Sequence, residues 1–321
     1  MSGKRGFEDQ LAALESLRHQ PAEATLAPLR KALAHRNNYI VGKAADIARE
    51  LRRTELIPEL LAAYDRFFTD PIKTDPQCWA KNALSRALSE LECGDPEVFL
   101  RGLRHIQLEP IWGGQSDTAG TLRSTCAHAL VACRGLPERE LLTYLIELFR
   151  DREKTVRVEA ARAMESVGSQ SAALLLRLRA TLASDDPEVL AACFSGVLAI
   201  EGVSAIPWAE GYLAAGDEVA AEASLAIAGT HSLEGFAVLQ ARFQGVRDPW
   251  FCPVLLSAMA LTRQQAAYDF LFELIRSASG HAEAALQALL RSAPRAEIIE
   301  ELERLVSGNP RLARLLAEPR R

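Results

Sequence analysis

Four stretches read alike when they are laid over one another: EKTVRVEAARAMESVG at 153–168, DPEVLAACFSGVLAIEG at 186–202, GDEVAAEASLAIAG at 216–229 and RDPWFCPVLLSAMAL at 247–261. Their first large apolar residues, Val156, Val189, Val219 and Trp250, follow one another at steps of 33, 30 and 31 residues. A further step of 31 reaches His281, at the head of HAEAALQALLRSA. In the other direction Leu122 precedes Val156 by 34 residues, Trp79 lies 43 before that, and Val41 a further 38. A period in the thirties marks one supersecondary unit that hides its apolar side only against the next copy.

Each unit predicts a pair of helices. The first carries leucines at helical spacing, as in Leu141, Leu142, Leu145 and Leu148, or Leu174, Leu175, Leu178 and Leu182, which predicts a stripe turned to the core. A short polar turn follows, where Asp, Asn, Gly and Pro stop one helix and cap the next; Asp186 before Pro187 is the plainest start signal. The second helix puts small residues at its apolar positions, among them Ala160, Ala161, Ala192, Ala223 and Ala226, so that neighbouring hairpins approach closely. Hydrophobic residues make up 49% of the 321 and aromatics only 6%, a balance of helix formers rather than strand formers.

No Pro/Gly/Ser-rich linker divides the chain. The expectation is an all-α, right-handed α-α superhelix of about seven to eight helical hairpins running through 1–321 as a single solenoid. Residues 1–22 form an N-terminal cap helix with a stripe of Phe7, Leu11, Leu14 and Leu17. The repeats occupy 23–291, and 292–321 form a C-terminal cap helix, with Ile298, Leu302, Leu305 and Val306 on one side, and a tail.

The chain resembles the HEAT-repeat superfamily, including the short bacterial HEAT-like units named after phycobilisome lyases. The likeness rests on a proline in the first helix (Pro28, Pro58, Pro207), an Asp in the turn (Asp151, Asp186), and the run Val156, Arg157, Ala160 and Ala161. Val-Arg stands only at 156–157, being Val41-Gly42, Val189-Leu190 and Val219-Ala220 elsewhere. The resemblance implies a stacked helical fold and is nearly silent about function.

The formal net charge is −5, mild for this length, and argues against a chain whose main task is covering phosphates. Residues 181–250 hold two arginines against ten acids, a balance of −8, and the remainder sums to +3. The opening MSGKRGFEDQ has no apolar signal-peptide core, and no window approaches the roughly 18 apolar residues of a membrane span, so a cytoplasmic protein is expected. Six scattered cysteines without C-x-x-C spacing point to reduced, packed thiols.

The most conspicuous break in the repeat is RHIQLEPIWGGQSDTAGTLR, residues 104–123, with an inserted loop over 104–120. Gly113 and Gly114 permit unusual backbone angles, and Asp117 is placed to cap a helix beginning near Thr118. Two readings follow. Ile111 and Trp112 fold the loop onto the helices as a plug, or Glu109, Trp112, Asp117 and Arg123 form the edge of a partner site, an aromatic anchor beside fixed charges. A phosphate loop is excluded, since no Gly-Lys-Ser/Thr follows and no strand is expected before the glycines.

Lys43, Lys81, Arg123 and Arg157 recur near the starts of the early second helices. Stacking would align them along a concave groove, basic in its first half and acidic in its second around Asp217, Glu218 and Glu222; alternatively each pairs at the surface with turn acids such as Asp75, Asp117 and Asp151. No H-E-x-x-H, G-x-S-x-G, G-x-G-x-x-G or zinc-type quartet occurs, so neither catalytic residue nor metal nor cofactor is expected. The expected function is a non-enzymatic scaffold that binds a protein or peptide through the concave face and the 104–120 loop, with nucleic acid disfavoured, no membrane, and no oligomeric state implied. The alternative, by fold analogy, is a HEAT-like enzyme such as an alkylated-base DNA glycosylase or a bilin lyase-type protein.

Overall fold

The computed structural model describes residues 2–182 and 184–317, and the side chains from Phe7 onward; the end of the RLARLLAEPRR tail, 318–321, lies outside the described residues. The chain is all-α apart from one two-stranded sheet among the described residues, and it forms two compact units, one ending at Ser166 and one beginning at Val167.

The first unit contains α1 (Ser2–Ser16), α2 (Ala22–Leu33), α3 (Asn38–Glu50), α4 (Ile57–Arg66), the single turn α5 (Pro71–Thr74), α6 (Trp79–Glu90), α7 (Pro96–Leu103), β1 (Leu108–Ile111), β2 (Gly114–Asp117), α8 (Gly120–Ala132), α9 (Glu138–Leu148) and α10 (Lys154–Val167). Helices α3, α6 and α8 pack in succession, and α2, α4 and α7 lie against them. The succession follows from which side of each helix is apolar: Val41, Ala44, Ala45 and Ala48 of α3, and Ala80, Ala83, Leu84 and Ala87 of α6, are sealed from water. Polar turn residues set the starts, with Asn37 Oδ1 accepting from the amides of Tyr39 and Ile40, and Asp95 Oδ1 from that of Glu97.

The second unit contains α11 (Gln170–Leu182), α12 (Pro187–Glu201), α13 (Ile206–Glu210), α14 (Glu218–Ala228), α15 (Leu233–Gly245), α16 (Phe251–Leu261), α17 (Gln265–Arg276), α18 (Ala282–Arg291), α19 (Ala296–Val306) and α20 (Pro310–Ala317). Helices α12, α14, α16, α18 and α20 pack each on the next, and α13, α15, α17 and α19 form a second row beside them. Such a succession of hairpins is consistent with a repeat solenoid.

Three expectations need correction. The leucine stripe expected of α11 does not face the core: Leu174, Leu178 and Leu182 are 67%, 56% and 59% exposed, while Ala172, Ala173, Leu176 and Ala180 are buried. This helix is apolar on both sides, and the alanine side is the one that lets α12 come close. Trp79 and Trp250, aligned with Val41, Leu122, Val156 and Val189, are half-exposed where those four are buried, because they stand at the first turn of α6 and just before α16; the buried residues are their successors Ala80 and Phe251. Finally, Pro187–Glu210 does have the length and the mean hydropathy, 2.0, of a membrane-crossing helix. Within the fold 56% of that window is buried, and Gly202, at φ 65°, and the 3-10 turn Gly202–Ala205 separate α12 from α13. Its apolar character therefore matches a helix packed on both sides by α11 and α14.

One glycine records how close the helices of the first unit run. A Cβ at Gly102 would collide with the Tyr64 hydroxyl and lie 2.5 Å from Cys126 Sγ, both of them buried. Gly102→Ala is expected to destabilise the first unit by about 1–3 kcal/mol through overpacking, read as a lower urea midpoint; an unchanged midpoint would show that α7 can move away from α8 freely.

Candidate interaction site

The 104–120 segment is a β-hairpin. Its strands pair antiparallel, Leu108 opposite Asp117 through Ile111 opposite Gly114, leaving Trp112 and Gly113 as a two-residue loop. Gly113 sits at φ 86°, where a side chain would be strained, which explains a glycine directly after the tip. The strand that sequence reasoning did not expect before the glycines is thus present, but it leads into a hairpin and no phosphate cradle forms.

Buried polar groups pin the stem of the hairpin. Gln107 Nε2 donates to the Asp75 carbonyl at 2.9 Å and to Glu109 Oε1 at 2.7 Å, and the Gln107 side-chain oxygen accepts from the Cys78 thiol at 3.2 Å. Glu109 Oε1 also accepts from the Thr118 hydroxyl at 2.8 Å and the Gln77 amide at 2.5 Å. Burial alone would raise the Glu109 carboxyl, but these donors from Thr118, Gln107 and Gln77 outweigh it and hold the group below its usual range. Gln77 and Cys78 both have positive φ, 58° and 53°, a strained arrangement for residues with side chains that turns the Gln77 amide to Glu109.

Beneath the hairpin run acid–base pairs six residues apart. Asp75 and Lys81 are both fully buried, with Lys81 Nζ 3.0 Å from Asp75 Oδ2 and 3.2 Å from the Phe67 carbonyl. Asp75 also caps α6, accepting from the Ala80 amide at 2.8 Å and the Lys81 amide at 3.0 Å. Arg123, 3% exposed, donates from Nη1 to Asp117 Oδ2 at 2.7 Å, and from Nε and Nη2 to Asp151 at 2.7 and 2.9 Å. Its Nη1 also donates to the His105 carbonyl at 2.9 Å, tying α8 to the first residues of the hairpin arm. The Asp151 carbonyl in turn accepts from Arg157 Nη1 at 2.8 Å.

The structure therefore divides the candidate residues. Glu109, Asp117, Arg123 and Lys81 come together, but as an internal brace. Lys81 and Arg123 are not groove cations open to a partner, and the pairs they make with Asp75, Asp117 and Asp151 are buried rather than superficial. Asp117 Oδ1 accepts from the Ala119 and Gln107 amides, so it closes the hairpin ahead of a helix that begins at Gly120, not near Thr118. Lys43 stands apart, 3.4 Å from Glu15 and over the Tyr39 ring.

In the second unit Asp217 Oδ1 caps α14 through the Ala220 amide at 2.9 Å, with Glu218 in the first turn. Burial, and then the neighbouring Glu188, push the Glu222 carboxyl up. The residues six positions after Asp185, Asp217 and Asp248 are Ala191, Ala223 and Val254, so these turn acids have no base at that spacing, and Asp185 pairs with Arg179 instead. Two of those positions, Ala191 and Ala223, lie within 181–250 and contribute to its acidity.

Trp112 is elsewhere altogether. Its relative exposure is 102%, and Ile106, Leu108 and Ile111 are also exposed, so the plug does not form and the hairpin carries its apolar residues outward. Gln107 and Thr118, which anchor it, were not marked by sequence reasoning; the alternation of Gln107 and Glu109 with Ile106 and Leu108 was the available signal.

The site offers little chemistry. Burial pushes the thiol of Cys78 up to about 11 and that of Cys126 to about 12, far from a nucleophile at neutral pH. Among the described residues no group of His, Cys, Asp and Glu has the make-up of a metal site.

No family model matches the chain, and no curated protein matches it in sequence. Among solved structures it is similar to an engineered protein, at 18% identity over 95% of this chain and 92% of the other, with a TM-score of 0.34.

Proposed function

We propose that the chain is a non-enzymatic binding scaffold, a HEAT-type repeat solenoid whose projecting hairpin, 104–118, is the contact element for a protein or peptide. The observation that carries this reading is the pairing of a rigid stem with an apolar tip: every polar anchor of the stem is hydrogen-bonded internally, while Trp112 is wholly exposed. Large aromatic side chains held ready in a fixed backbone lose little entropy on docking and make frequent binding anchors. The helical rows supply the stiff mount. The glycosylase alternative loses its residues, because Asp117 and Arg123 are occupied with one another and Trp112 stands away on the loop.

A photoreactive residue at position 112, set against one at the exposed Glu138 of α9, tests this in native lysate. We expect a discrete cross-linked protein at 112 alone, competed away by unlabelled wild type and not by Trp112→Ala. That variant should alter stability by less than about 0.5 kcal/mol, since the ring touches no core. The same products at both positions, or competition by the variant, would overturn the reading.

A further inference from the structure

The hairpin has two edges, and they are not equivalent. Thr118 N donates to the Gln107 carbonyl at 2.9 Å, and the loop closes Ile111 against Gly114. In an antiparallel ladder alternate pairs bond to each other, so Glu109–Ser116 and Ile111–Gly114 carry the internal bonds, while the backbone groups of Leu108, Pro110, Gln115 and Asp117 point outward. On β1 that outward edge is interrupted by Pro110, which has no N–H to give. On β2 it is complete. Gly114, Gln115 and Ser116 are exposed, and among the described residues neither the Gln115 nor the Asp117 backbone makes a hydrogen bond outside the hairpin.

We propose that the free edge of β2 receives an extended, uncharged peptide segment of another polypeptide as a third strand, with a large apolar side chain set over Gly114. This rests on the reading of the hairpin as the contact element and names how it would bind. Added strands gain affinity from main-chain hydrogen bonds and specificity from alternate side chains. Here the alternate positions are shaped: Gly114 has no side chain and Ser116 a small one, so the flank of Ile111, which is 56% exposed, lies open toward the incoming strand. A bulky residue opposite Gly114 would lie across the glycine and touch Ile111.

Charge and size select the occupant. The carboxylates of Glu109 and Asp117 are already satisfied by Gln107, Thr118 and Arg123, so the edge presents no free charge that would call for a basic partner. A second copy of this chain would have to bury about 800 Å² on each side to hold a stable dimer, beyond the reach of two four-residue strands pairing edge to edge. A short segment paired along its backbone needs no such area.

Peptides selected from a displayed random nonamer library on the full chain provide the probe. Gln115→Pro removes an outward N–H that the hairpin itself does not use. It is expected to weaken the selected peptides at least ten-fold, and in the wild-type complex the Gln115 and Asp117 amides should exchange at least ten-fold more slowly. The exchange reading does not depend on how the variant folds. Peptides that lose binding with Trp112→Ala yet ignore Gln115→Pro, and leave both amides exchanging freely, would overturn strand addition while leaving the hairpin as the contact element. Indifference to both variants would overturn both, and a library yielding no binder would overturn strand addition.

Discussion

Asp75→Ala is expected to lower the stability of the first unit by about 3–5 kcal/mol, the range for breaking a buried ion pair from one side. The carboxylate accepts from Asn38 Nδ2, the Ala80 and Lys81 amides and Lys81 Nζ, all in a place without water. Removing it orphans two amides at the start of α6 and leaves the Lys81 ammonium with only the Phe67 carbonyl and the face of Phe68. Loss of a cap alone would cost about 1 kcal/mol, and loss of a surface pair less still, so the size of the effect separates a buried brace from a superficial one. Urea unfolding followed by circular dichroism reads it. Pairing the change with Lys81→Met should recover much of the loss, since it removes the stranded charge. A decrease under 1 kcal/mol for Asp75→Ala, or a double variant no better than the single, would show that the pair does not hold α6 in place.

The same pair shows where sequence reasoning reached and where it stopped. The period of thirty-odd residues was legible because each repeat must place small apolar residues against its neighbour, and Val41, Leu122, Val156 and Val189 are indeed fully buried. The faces of α11 were not legible: with leucine on one side and alanine on the other, periodicity finds two candidate stripes, and only the closeness of α12 decides. The recurrence of an acid and a base six apart, 75 and 81, 117 and 123, 151 and 157, was written in the residues. Sequence reasoning left these bases either along a groove or paired at the surface, because burial depends on the turn folding back over the helix start, a tertiary event. The hairpin was hidden for a related reason. Pro110, two glycines and a polar β2 are poor strand formers, and the strands exist because Gln107, Glu109 and Thr118 find partners on the loop before α6 and on one another.

Arg123→Met is expected to cost the first unit about 3–5 kcal/mol at neutral pH, and less in acid. At neutral pH the change leaves the carboxylates of Asp117 and Asp151, each 12% exposed, facing one another without the guanidinium between them. The pH dependence follows from Asp117. Burial would raise this carboxyl, but the Ala119 and Gln107 amides and Arg123 overcome it and hold the group below its ordinary value of 3.8. A carboxyl depressed in the folded state contributes stability above its unfolded pKa and loses it as pH falls through the folded value. Arg123, held above its ordinary value despite burial by Asp151 and Asp117, stays charged throughout this range. Wild type should therefore lose stability from about pH 4 downward, and the variant, whose Asp117 carboxyl takes up a proton more readily without the guanidinium, should lose less, so that the gap between them narrows. Urea midpoints at neutral pH and below pH 4 measure it, and half-molar salt should leave the gap nearly intact because the pair is out of reach of counterions. A gap of constant size across that range would mean that packing of the arginine stem, and not charge, is what the substitution removes. Since Arg123 also holds the His105 carbonyl, the variant should speed exchange of the Thr118 amide that closes the stem on Gln107. If that amide stays protected while global stability drops, the brace supports the helices alone, and the fixed presentation of Trp112 must come from Glu109 and its three donors instead.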